Sequence, residues 1–282
     1  MPASPSRHAV HPEHALRMTT SELRSHFLIE NLFEPGVIRQ VYSHHDRLII
    51  GGAFPVDKAL KLEAFDELKA GYFLERREIG IINVGQEGTV IVDGKSYQLG
   101  NKDALYAGMG VREITFSPAP GKKALFYFNS APAHMTHPTR KISVGEADTA
   151  HLGAVETANQ RTIRKLIVST VLPTCRLQMG LTELKPGSVW NTIPPHIHSR
   201  RMEAYFYFDL ADEHRVSHFM GEPAETRHLW VSNHQAVISP PWSIHAGAGT
   251  SAYSFIWGMS GENLDYTDMD AVPVSQLKCY YE

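Results

Sequence analysis

The sequence predicts an all-β chain of two antiparallel β-barrels joined by a connector and preceded by a short N-terminal helix. Three observations carry this expectation. Short runs of β-branched and aromatic residues, parted by turn residues, recur at regular intervals along most of the chain, with almost no helical periodicity. The rhythm breaks between Asn129 and about Arg164, where Pro132, Pro138 and a polar run from Lys141 to Gln160 read as a connector. The two halves also echo each other. Glu75-Arg76-Arg77-Glu78-Ile79-Gly80-Ile81-Ile82 aligns with Ser199-Arg200-Arg201-Met202-Glu203-Ala204-Tyr205-Phe206, and Ala104-Leu105-Tyr106-Ala107-Gly108 with Ala236-Val237-Ile238-Ser239-Pro240. Residues 1–135 are therefore assigned to a first barrel with the N-terminal arm and helix, and 136–282 to the connector and a second barrel.

Taken in order, the first eighteen residues are rich in His, Pro, Ala and Ser and read as a mobile arm, with His8, His11 and His14 solvated. Thr19-Thr20-Ser21-Glu22 has the Ser/Thr-x-x-Glu pattern of a capping box, opening a helix to about Leu28. Strand-like runs follow at 37–43, at 48–50 with Gly51-Gly52 as a break, at 71–74 and at 79–84. A turn at 85–88 leads to 89–92, and Asp93-Gly94 between alternating segments signals a hairpin. Runs at 97–99, 104–106, 113–116 and 124–129 complete the first series. In the connector, His134 and His137 are expected to be solvated or capping. The second series comprises 166–168, 175–184, 187–190, 216–220, 228–231, 236–238 and 253–259.

With 282 residues, 43% hydrophobic and 20% charged, the composition is that of a soluble globular protein. A net charge of −3 gives no footing for nucleic acid or an anionic membrane as partner. Two cysteines, Cys175 and Cys279, cannot form a disulfide scaffold and suit a reducing compartment as inert thiols. The N-terminus has no apolar core of signal-peptide length, and no run approaches a membrane span, so a cytoplasmic location is expected.

The chemistry-bearing stretch is Pro194-Pro195-His196-Ile197-His198-Ser199-Arg200-Arg201-Met202-Glu203, followed by Ala204-Tyr205-Phe206-Tyr207-Phe208. Two histidines one residue apart on an extended chain point the same way. Glu203, an odd step further on, faces them only if the polar insert between makes a bulge or turn. Later in the chain, Pro240-Pro241-Trp242-Ser243-Ile244-His245 supplies a third imidazole. His196, His198, Glu203 and His245 together are a ligand set for a divalent transition metal with exchangeable positions left over. Their order resembles the two signature motifs of cupin jelly-roll barrels, with Trp242 where cupins usually carry Gly and Gly187 further from His196 than is usual. The first half lacks this pattern, as in a bicupin with one metal site lost.

A narrower resemblance covers nearly the whole chain. Tyr42-Ser43-His44, Tyr72-Phe73-Leu74-Glu75-Arg76-Arg77-Glu78, Gly180-Leu181-Thr182-Glu183-Leu184, Arg200-Arg201-Met202-Glu203 and Phe255-Ile256-Trp257-Gly258-Met259 resemble the 5-keto-4-deoxyuronate isomerase family. These are the 4-deoxy-L-threo-5-hexosulose-uronate ketol-isomerases. The resemblance implies a hexameric bicupin with one Zn2+ per chain held by residues matching His196, His198, Glu203 and His245. It further implies conversion of 5-dehydro-4-deoxy-D-glucuronate into 3-deoxy-D-glycero-2,5-hexodiulosonate in pectin and polyuronide degradation, a small-molecule deoxy-keto-uronate being the partner.

That chemistry suits the ligand set, because four protein ligands leave positions for a carbonyl and a hydroxyl oxygen, and a redox-inactive ion, zinc or another divalent metal, suffices. A general base is also required. Alternation from Glu203 puts Tyr205 and Tyr207 on the ligand face, and Glu183 on a neighbouring strand is a further candidate. A substrate carboxylate calls for a guanidinium fork, for which Arg161, Arg200, Arg201 and Arg227 are candidates. Trp257 and Met259 are expected to pack the barrel interior. Two other classes fit the same ligands: an iron-dependent cupin dioxygenase and a non-enzymatic sugar-binding cupin.

Overall fold

Strand propensity is realised along most of the chain in the computed structural model, which describes residues 6–279. Among the described residues, strands assemble into two seven-stranded and two four-stranded sheets and a two-stranded ribbon, the central pairs Arg77–Asn83 with Phe126–Pro132 and Arg201–Phe208 with Ser254–Gly261 being antiparallel. Two compact units result. One gathers Asn31–Asp148 and Lys165–Met179; the other gathers Arg7–Glu30, Thr149–Arg164 and the chain from Gly180. The units thus interleave along the sequence, whereas the expected division was a single cut at 135/136. No described helix is long and apolar enough to cross a membrane.

In the first unit the strand Phe126–Pro132 lies between Ile49–Ala53 and Arg77–Asn83, with Ala104–Ala107 beyond. The facing sheet contains Ile114–Ser117, Gly88–Val92 and Lys95–Leu99. Asp93-Gly94 makes the predicted hairpin: both residues have positive φ, 46° and 80°, as a two-residue type I′ turn requires, and Val92 stands opposite Lys95. Gly51-Gly52 corrects the expectation of a break, because both lie inside Ile49–Ala53. A Cβ on Gly51 would sit 2.1 Å from the Phe128 ring, so the glycine makes room for an aromatic filler. Residues 71–74 form a turn rather than a strand, yet Phe73 and Leu74 are buried in the core. The core cluster gathers Ile49, Ile79, Ile81, Leu105 and four phenylalanines, Phe116 packing 5.4 Å from Phe126 and 6.0 Å from Phe128.

The second unit repeats this wiring. Ser254–Gly261 lies between Gln178–Leu184 and Arg201–Phe208, with Ala236–Ser239 beyond, and Trp190–Asn191, Ala246–Gly249, Val216–Glu222 and Glu225–Val231 form the facing sheet. Ala246–Gly249 went unread in the sequence because Ala-Gly-Ala-Gly carries no strand signal. The echo between the halves is a structural register. Arg77 faces Pro132 and Ile79 faces Ala107, just as Arg201 faces Gly261 and Glu203 faces Ser239.

The expected connector is more regular than its composition suggests, holding Arg140–Ile142, Asp148–Leu152 and the start of Arg161–Ile167. The capping box is formed: Thr19 N donates to Glu22 Oε2 at 2.7 Å and Glu22 N to Thr19 Oγ1 at 3.3 Å, opening a helix over Thr20–Phe27. The arm is docked rather than mobile from Arg7 onward, its first five residues lying outside the described residues. Val10 and Ala15 are buried, and the Trp242 indole donates to the Val10 carbonyl at 3.2 Å. Leu28–Ile29 then adds an edge strand to Ala236–Ser239.

Candidate metal centre

His196–Ile197 is a two-residue strand and Arg201–Phe208 a long one, and the turn between them resets the alternation. This turn, the expected polar insert, lets Glu203 face the histidines. His196 Nε2 lies 3.0 Å from His198 Nε2 and 2.9 Å from His245 Nε2, while Glu203 Oε2 lies 2.8 Å from His245 Nε2 and 3.4 Å from His198 Nε2. All four donors fall within 4.8 Å of one another. Metal–ligand bonds of about 2.0–2.2 Å would separate adjacent donors by roughly 3.0 Å in an octahedron and roughly 3.4 Å in a tetrahedron. The donor spacing therefore fits one divalent ion. Three imidazole nitrogens this close cannot all be satisfied by one another, and Glu203 Oε2 has no hydrogen bond of acceptable geometry despite being buried. Converging lone pairs without protons between them are the signature of a cation site.

The outer nitrogens are held. His198 Nδ1 lies 2.7 Å from the Asp268 carbonyl oxygen, and His245 Nδ1 lies 3.2 Å from Ser239 Oγ, directly across the ladder from Glu203. Such bonds fix the ring orientation that presents Nε2. Burial and then the neighbouring His245 push His196 down to about 2, which keeps its ring neutral. Burial pushes the Glu203 carboxyl up, but His245 and His198 together outweigh it and hold the group well below the usual carboxylate range. Neutral imidazoles and an ionised carboxylate are the forms that ligate. Among the described residues this is the only group of three or more such side chains that converges; His134 and His137 join none.

Tyr205 and Tyr207 stand on the ligand face as expected. The Tyr205 ring stacks on Phe255 at 5.0 Å and lies 5.1 Å from the His245 ring, with its hydroxyl 3.3 Å from Thr192 Oγ1. Burial raises both phenols well above their ordinary pKa, so they remain protonated donors. Tyr207 OH lies 2.7 Å from His218 Nδ1. His218 escaped the sequence reading. It is fully buried, its Nε2 has no partner, and burial followed by His245 pushes it down to about 3. Its one signal was a histidine on the inward parity of the apolar run Val216–Met220. Asn191 and Tyr253, bonded at 2.6 Å, extend this polar wall. A Cβ on Gly247 would meet Asn191 Nδ2 at 2.7 Å and Tyr207 OH at 3.2 Å, so only glycine fits there.

Glu183 is not brought to the centre. Gly180 points at Trp257 on the inner face, so alternation turns Glu183 outward, where it accepts from Arg164 Nε at 2.6 Å. Arg201 is buried and committed to backbone, donating to the carbonyls of Asp265, Tyr266 and Asp268. Arg227 holds the N-terminal arm through the carbonyls of Ala15, Leu16 and Met18, and Arg200 pairs with Glu262 at 3.2 Å on the surface. Arg161 is half-buried, bonded to the Asn159 carbonyl at 2.9 Å, and close enough to Tyr205 and Tyr266 for both to act on it. Trp257 and Met259 are buried as packing, as expected.

The KduI/IolB family profile matches residues 27–273. A 4-deoxy-L-threo-5-hexosulose-uronate ketol-isomerase of Formosa agariphila is 56% identical over 274 residues, covering 97% of this chain and 98% of that protein. Proteins of the same name from Bacteroides fragilis and Yersinia pseudotuberculosis are each 54% identical, over 96% of this chain and 98% and 99% of theirs. Among solved structures, an IolB-like protein of Salmonella typhimurium superposes with a TM-score of 0.69 at 15% identity, over 87% of this chain and 96% of that one. An oxalate decarboxylase of Lactobacillus farciminis superposes at 0.60 and 11% identity, over 87% and 88%; these two show the fold.

Proposed function

The chain belongs to the KduI/IolB family and is an intramolecular isomerase of the ketol-isomerase type, and from that premise we propose a zinc-dependent conversion of 4-deoxy-L-threo-5-hexosulose uronate into 3-deoxy-D-glycero-2,5-hexodiulosonate during polyuronide breakdown. One observation supports the metal dependence above the rest: the convergence of His196, His198, Glu203 and His245 on a single point. A divalent ion held there would act as a Lewis acid on the oxygens of the reacting carbonyl and hydroxyl, an effect worth several kcal/mol.

The chain's own residues supply the rest. Tyr205, protonated and beside His245, is placed to donate to a substrate oxygen. The Tyr207–His218 pair is a neutral, buried donor–acceptor unit that holds no ligand role, and the hydrogen shifted between adjacent carbons is assigned to it. We assign the substrate carboxylate to Arg161, a half-buried guanidinium close enough to Tyr205 for the two to act on each other. The buried aromatic wall of Tyr205, Phe255 and Trp257 excludes water from the reacting carbons.

Metal analysis of the purified protein and an isomerase assay on the deoxy-hexosulose uronate test this together. Stoichiometric zinc and turnover abolished by a chelator and restored by zinc are expected. Iron with O₂ consumption would favour the dioxygenase reading, against which the ketol-isomerase relatives stand. The same proposal takes the chain as a cytoplasmic homo-oligomer, hexameric in the manner of the family, and a monomer in light scattering would overturn that part.

A further inference from the structure

We propose that the unit without metal ligands carries a second binding site, for a small organic carboxylate, in the cavity beside Arg77. This goes beyond the isomerase reading and does not depend on it. The cavity holds about 250 Å³ and is bounded chiefly by Tyr42, Arg47, Glu67, Phe73, Arg76 and Arg77. Arg77 opens one strand and Pro132 closes its partner, so the cavity sits at the end of the sheet where, in the duplicated wiring of the other unit, the ligand cluster is found.

Arg77 is a buried guanidinium, 6% exposed, without an ion-pair partner among the described residues. Its Nε donates to Ser130 Oγ at 3.1 Å and its Nη2 to the carbonyls of Arg47 and Ser130 at 2.7 and 2.6 Å, which leaves Nη1 unclaimed. The neighbouring Glu78 does not neutralise it at close range, because alternation turns that carboxylate to the opposite face, where it accepts from Tyr106 and three backbone N–H groups. Burial accordingly pushes Arg77 down to about 10. A buried cation is costly unless an anion joins it.

The surroundings supply the rest of an anion site. Arg76 is held by the carbonyls of Leu68 and Lys69. Arg47 sits at φ 53°, a conformation uncommon outside glycine, with its carbonyl pinned by Arg77. Three arginines, Arg47, Arg76 and Arg77, therefore line the cavity with one carboxylate side chain, Glu67, while Glu75 lies 4.0 Å from Arg76 Nη2. Tyr42, whose ring lies 6.0 Å from Arg77 Cζ, and buried Phe73 give an apolar wall for a carbon chain. The volume corresponds to roughly eight water molecules, the size of a monosaccharide acid rather than a polymer.

Isothermal titration of the zinc-loaded protein with D-galacturonate, and separately with inorganic phosphate, tests the site. Because Arg77 also braces Ser130, the variants are Arg47→Met and Arg76→Met at the exposed rim, with Glu203→Gln as the control at the other centre. Each rim variant is expected to weaken galacturonate binding at least ten-fold while metal content and isomerase turnover stay unchanged, and Glu203→Gln to keep it. Binding retained in both rim variants, lost in Glu203→Gln, or undetectable at millimolar concentration overturns the proposal. Phosphate binding as tightly as galacturonate overturns the carboxylate assignment. None of these outcomes bears on the isomerase assay.

Discussion

The two units share strand order and register and differ in what they place on one face of one strand. Where the first has Ile79 and Ile81, the second has Glu203 and Tyr205. Around the isoleucines the interior closes with Phe116, Phe126 and Phe128; around the glutamate it stays polar, with His198, His245, His218 and Tyr207. Each unit also has a buried glutamate, but Glu78 sits one position earlier than Glu203 in the shared register. One step along a strand reverses the face. Glu78 therefore becomes a backbone anchor, accepting from Cys175, Arg176 and Leu177 at 2.8, 2.6 and 2.8 Å and from Tyr106 OH at 2.6 Å, whereas Glu203 keeps an oxygen free for an ion. The apolar unit shows that the barrel closes without a metal, so the polar face of its counterpart serves chemistry rather than folding.

That contrast is open to attack by substitution. The largest effect is expected from Glu203→Gln and His196→Ala, each of which removes a ligand while the sheets remain intact. Metal analysis should show the ion lost and isomerase turnover should fall by about a thousand-fold or more, the rate equivalent of several kcal/mol. Full turnover in either variant would contradict the site. Exchanging the registered residues comes next. Ile79→Glu places an unpaired carboxylate among isoleucines and phenylalanines and should cost about 3–5 kcal/mol in denaturant titrations. Glu203→Ile should abolish activity without comparable loss of stability, since apolar replacement of buried charge is often neutral or stabilising.

Glu78→Ala removes the acceptor of three backbone N–H groups and should destabilise by about 3 kcal/mol while the folded fraction keeps its turnover. Equal loss of turnover per folded molecule would show that the two glutamates are not separate in role.

The smallest effect concerns pH. His218 is held neutral with its folded value depressed to about 3, below its ordinary value near 6.5. Its contribution to stability is therefore complete above about 6.5 and is lost as pH falls toward 3, because the unfolded chain takes up the proton first. His218→Asn should flatten that part of the melting-temperature profile. Identical slopes in variant and parent would show that His218 is not the buried neutral group described.

The ligand set was legible because its chemistry is dense: two alternating histidines, a nearby glutamate and a histidine after paired prolines leave few other readings. The duplicated register was legible too, since Arg77 and Arg201 open equivalent strands. His218 was not, because a lone histidine in an apolar strand is indistinguishable from packing until its neighbours across the barrel are known. Glu183 was misplaced for lack of a parity reference; only the close approach of Gly180 to Trp257 supplies one. Arg201 and Arg227 read as candidate forks for a substrate carboxylate, but their acceptors are chiefly main-chain carbonyls, which no side-chain pattern encodes. Gly51-Gly52 read as a break because the ring filling that space belongs to a residue far along the chain.

The acceptor at His198 Nδ1 has a last consequence. It is the main-chain oxygen of Asp268, which Arg201 Nη2 also grips at 3.2 Å, while the carboxylate of Asp268 is occupied separately by Asn263 Nδ2 at 2.5 Å. An amino-acid scan across position 268 would change the carboxylate and leave the latch untouched, so the position would score as tolerant. The atom that aims this imidazole would then be invisible to mutational mapping, and only a change in the path of the chain, such as a deletion within 263–268, would expose it.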